Sequence, residues 1–78
     1  MSKARVVVTF HTTTEAMAWE QACKEEGLPG RLIPMPTQIS AECGLAWLLD
    51  LEDKEYLLEQ AGQLGLDYQN VVELDRKR

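Results

Sequence analysis

Two cysteines and one histidine are the residues of this chain best suited to covalent or proton-transfer chemistry. A thiol reacts as its thiolate, so a useful cysteine must be accessible and must sit where negative charge is favoured. Cys43 lies in a polar stretch beside Gly44, a residue that permits close backbone approach or an unusual turn. Glu42, its other neighbour, opposes thiolate formation unless its carboxylate points to solvent. Cys23 instead falls among helix formers, on a stripe with Ala16, Trp19 and Glu20, and reads as a buried structural thiol. His11 is the only histidine, with three readings: a cap-supporting surface residue, a proton donor or cation partner for Cys43, or a metal ligand.

Zinc takes about three or four well-placed ligands. One histidine and one accessible cysteine fall short of that set, and no Cys-x-x-Cys occurs, so no metal is expected. A protease-like Cys–His pair lacks a visible third residue to orient it. Gly27, Gly30, Gly44, Gly62 and Gly65 are scattered rather than gathered into a phosphate loop, and no cofactor is expected. Trp19 and Trp47 read as packing residues rather than as a stacking platform.

The elements that must position these groups follow from hydrophobic period. Arg5-Val6-Val7-Val8-Thr9-Phe10 is β-branched, aromatic and short, as a buried strand is. Thr12 and Glu15 have capping-box spacing, which predicts a helix running to Glu26 and ended by Gly27. Pro29-Gly30 breaks the chain. Arg31 to Met35 reads as an edge strand limited by Pro34 and Pro36, because proline cannot donate to a ladder. Leu45 to Leu51 has the apolar continuity of a central strand. Asp53 can cap a second helix over Lys54 to Leu64, with a stripe of Leu57, Leu58, Ala61 and Leu64. Asp67 to Leu74 supplies a fourth strand.

The order β-α-β-β-α-β predicts an α+β ferredoxin-like two-layer sandwich with a four-stranded antiparallel sheet, since right-handed crossovers bring the strands together. In that arrangement the first and third strands are antiparallel neighbours. The end of one lies beside the start of the other, so His11, the helix start at Thr12 to Thr14, and the loop ending in Cys43-Gly44 meet at one end of the sheet. A helix start offers unpaired amide donors and partial positive charge, and both favour an anion. The expected consequence is a lowered thiol pKa at Cys43.

Seventy-eight residues predict one domain with little interior for a deep pocket, which disfavours a self-sufficient enzyme enclosing its substrate. Eight basic against thirteen acidic side chains give a net charge of −5, which repels phosphate backbones, so no nucleic acid is expected. The run Arg76-Lys77-Arg78 reads as a solvated terminus. No apolar stretch reaches the roughly 18–20 residues that span a bilayer, and the apolar run after Arg5 is too short for a secretory signal. A cytoplasmic protein with no membrane partner is the expectation. The continuously apolar strands suit a sheet buried on both faces, which suggests a homodimer through the open sheet face.

Three runs carry a resemblance: Val8-Thr9-Phe10-His11-Thr12-Thr13, Leu32-Ile33-Pro34-Met35-Pro36, and Ile39-Ser40-Ala41-Glu42-Cys43-Gly44-Leu45-Ala46. Together they resemble a family of small bacterial proteins described as selenium/sulfur (Se/S) carrier protein-like, over nearly the whole chain. The resemblance implies a carrier in which Cys43 holds the chalcogen as a persulfide-type adduct. His11 would serve it as proton donor or thiolate partner, with Thr12, Thr13, Ser40 and Gly44 in support, and the implied partners are a sulfur or selenium donor enzyme and an acceptor protein. Two other classes stand beside the carrier: a non-catalytic interaction or small-ligand regulatory domain, and a thiol redox sensor.

Overall fold

The computed structural model describes residues 4–36, 39 and 44–74. Five residues rich in β-branched side chains, Arg5–Thr9, form β1, and the chain then turns at His11 into α1, Thr13–Glu26. Thr12 is extended (φ −140°, ψ 161°), and its Oγ1 accepts from the backbone N–H of Glu15 at 3.2 Å, which satisfies one of the donors left open at a helix start. Gly27 ends α1 in the left-handed region (φ 68°). The next amide, of Leu28, returns to the Cys23 carbonyl at 2.9 Å.

Strand β2 is Arg31–Pro34, β3 is Leu45–Asp50, α2 is Lys54–Leu64 and β4 is Asn70–Leu74. All pairings are antiparallel in the order β2-β3-β1-β4. This is the ferredoxin-like α+β sandwich, with β1 and β3 central as the sequence predicts. Both helices pack on one face of the sheet. Val6, Val8 and Phe10 meet Trp47, Leu49, Ala16, Trp19, Cys23, Leu57 and Ala61 there, in a single buried cluster. Trp19 stands edge-on to Phe10 (5.4 Å between ring centres) and to Tyr68 (5.7 Å), an arrangement the ring quadrupoles favour.

The opposite face carries Val7, Thr9, Ile33, Ala46, Leu48 and Val72, by the alternation of the strands. No described helix lies on it. Even so, Val7, Thr9 and Ala46 at its centre are buried within the single chain, with Val7 flanked by Leu48 and Val72.

Several expectations are corrected in detail. Asp53 precedes α2, yet its side chain makes no cap hydrogen bond, because a 3-10 turn over Leu51–Asp53 has already wound its backbone to φ −96°, ψ −1°. A capping side chain needs the extended backbone that Thr12 has and Asp53 lacks. Leu64 is exposed rather than part of the inward stripe, whereas Leu57 and Ala61 are fully buried. The fourth strand starts at Asn70 rather than Asp67, since the exit from α2 through Gly65 (φ 71°) and the return of the Leu66 amide to Ala61 use up the intervening chain. Lys54 at the start of α2 ties the helix to β4 through Glu73 at 2.8 Å.

Candidate functional site

The β1–β3 ladder builds the site. Its register pairs Val8 with Trp47 and Thr9 with Ala46, and run on two residues it leads to His11 and Gly44. Gly44 also extends the β2–β3 hairpin, its carbonyl accepting from the Met35 amide at 2.8 Å. One end of the sheet therefore gathers His11, Thr12, the first turn of α1, and Gly44. Cys43, Ser40 and Glu42 lie outside the described residues, as do the basic residues 76–78; in the chain, Cys43 directly precedes Gly44.

Among the described residues, no atom lies within 4 Å of a Cβ placed at Gly44. Gly44 is exposed, in a bend at the entrance to β3.

His11 has an exposed side chain (51%), and its surroundings are more organised than the sequence predicts. The Glu15 carboxylate turns back from the first turn of α1. Its Oε1 accepts from the His11 backbone N–H at 2.8 Å and stands 3.2 Å from His11 Nδ1. Those contacts hold the Glu15 carboxyl below its ordinary value: the His11 amide hydrogen bond contributes most, burial opposes it, and the imidazole and the Thr12 amide add smaller lowering effects. The carboxylate also sits where the helix dipole favours negative charge, so part of the anion-favouring end of α1 is already taken.

Glu15 is the site residue that the sequence hides in plain view. The Thr12-x-x-Glu15 spacing predicts a reciprocal bond to the cap residue's own amide. The structure shifts the principal bond one residue back, to His11, and adds the ring contact.

Cys23 lies on the inward face of α1, 1% exposed, and burial pushes its thiol up to about 11. It is the inert cysteine that its position on the helix predicts. Among the described residues no group of three or more His, Cys, Asp or Glu side chains could hold a metal ion, and no helix is long and apolar enough to cross a membrane. A shallow groove lined by Arg5, Arg31, Asp50 and Asp53 sits at the other end of the sheet from His11, where Arg5 pairs with Asp50 at 3.0 Å.

The sequence model of the family described as "Putative Se/S carrier protein-like" matches residues 5–73. No curated protein and no solved structure matches.

Proposed function

The chain belongs to the Putative Se/S carrier protein-like family, and from that premise we propose that it carries sulfur or selenium on Cys43. In the sulfur case the Cys43 thiolate attacks the outer sulfur of a persulfide on a donor enzyme. A new bond forms between Cys43 Sγ and that sulfur, the donor's S–S bond breaks, and the donor departs as thiolate. The charge passes from one thiolate to the other and nothing is oxidised or reduced overall. An acceptor protein then takes the outer sulfur by the same step in the forward direction. The proposed setting is the cytoplasm, where thiols remain reduced.

The observation that supports this reading is the β1–β3 register, which run on two residues brings His11 opposite Gly44, the residue that follows Cys43 in the sequence. His11 is the group proposed to take the proton from the Cys43 thiol. Thr12 acts indirectly, by capping α1, and Thr13 begins the helix.

Treatment with polysulfide followed by intact-mass measurement tests the proposal. The wild type and Cys23→Ser are expected to gain the mass of one sulfur atom, lost again on reduction, while Cys43→Ser gains nothing. Equal loading of Cys43→Ser would overturn the assignment.

A further inference from the structure

The Glu15–His11 contact has a consequence for which ring nitrogen does chemistry. Glu15 Oε1 is 3.2 Å from His11 Nδ1 and is anchored there by a second bond, from the His11 backbone amide at 2.8 Å. The Glu15 amide, in turn, donates to Thr12 Oγ1 at 3.2 Å, so the carboxylate's backbone is fixed by the same cap. An ionised carboxylate only accepts hydrogen bonds, and a neutral imidazole carries one proton on one of two nitrogens. The Nδ1···Oε1 contact is therefore a hydrogen bond only when Nδ1 holds the proton.

We propose that Glu15 is a positioning residue that holds neutral His11 in its Nδ1–H tautomer, leaving the Nε2 lone pair as the acceptor of the site. This deepens the carrier reading and rests on it for its purpose: an Nε2 acceptor takes a proton from an S–H group, whereas the other tautomer would offer Nε2 as a donor. When Nε2 receives that proton, both nitrogens carry hydrogen, and the Glu15 carboxylate faces the resulting imidazolium through the bond already made. No rearrangement of the ring is needed between the two states. The class of group recognised at Nε2 is thus a weakly acidic proton donor such as a thiol or hydropersulfide.

His11 is the only histidine, so a 15N-labelled sample gives a single pair of imidazole-nitrogen signals. In the neutral ring, wild type is expected to show a protonated, pyrrole-like Nδ1 and an unprotonated, pyridine-like Nε2. Glu15→Gln replaces the acceptor-only group with an amide that serves either tautomer, and the Nε2–H form should gain several-fold. A wild-type ring protonated mainly on Nε2, or an unchanged ratio in Glu15→Gln with the backbone signals of α1 intact, overturns the inference. A Glu15 that only capped the helix would leave the tautomer ratio where it was. The wild-type spectrum decides the matter whatever polysulfide loading shows, so the inference and the carrier reading fail separately.

Discussion

At the scale of single residues the two cysteines are set apart by environment. Burial raises the Cys23 thiol from its ordinary value of 9.0 to about 11, which removes roughly two decades of thiolate at any pH below the ordinary value. Since alkylation follows the thiolate, native Cys43→Ser protein should react with iodoacetamide at least about a hundredfold more slowly than a free cysteine, with the rate rising about tenfold per pH unit up to about pH 11. A native Cys23 that reacts at the rate of an exposed thiol would show the α1–sheet packing to be open. The inward position of Cys23 was legible from its helical spacing with Ala16 and Trp19. The ring contact of Glu15 was not, because the capping pattern specifies a backbone partner and says nothing about which side chain stands one residue upstream.

At the scale of elements, the tightest constraint lies in the turn between α1 and β2. Gly30 adopts φ 112°, and a Cβ there would collide with the Trp47 ring and lie 2.8 Å from the Leu48 carbonyl. The ring cannot yield freely, because its Nε1–H donates to the Pro29 carbonyl at 2.9 Å and its body is in the core. Gly30→Ala therefore combines backbone strain with overpacking and should cost at least about 2 kcal/mol, read as a lowered midpoint in urea unfolding. Gly62→Ala, on exposed helix with nothing within 4 Å of the added carbon, should be neutral to stabilising and serves as the control. The sequence showed Pro29-Gly30 as a break. It could not show which ring closes over it, since that depends on Trp47 arriving from β3. Helix and strand identities were legible from period and punctuation, whereas the failed cap at Asp53 was not, because an acidic residue before a helix looks the same whether the preceding backbone is extended or already wound.

At the scale of the whole molecule, topology was the most legible property. Four short strands and two helices in this order have few right-handed, antiparallel solutions, and the one adopted places β1 between β3 and β4. What the order of elements could not reveal is the burial of Val7, Thr9 and Ala46 on the face without helices. An apolar run is compatible with a sheet that waits for a second copy and with one already sheltered. In this protein the centre of that face is sheltered within one chain, and Ile33, Leu48 and Val72 around it are half-buried.

The central place of β1 also sets a clock. Its neighbour β4 is bonded to it across 61 residues, as in the Thr9–Asn70 pair, and its other neighbour β3 is separated from it by a helix and a strand. Loop closure over such spans must precede the contacts that reward it, whereas α1 with its local cap can begin to wind at once. Val6, Val7 and Val8 thus spend the early moments of folding with both backbone edges unpaired. Stopped-flow refolding followed by the fluorescence of Trp19 and Trp47 should complete on the order of milliseconds to seconds. Completion in microseconds, the pace of small helical bundles, would mean that β1 finds its distant partners by a shorter route than the sheet order permits.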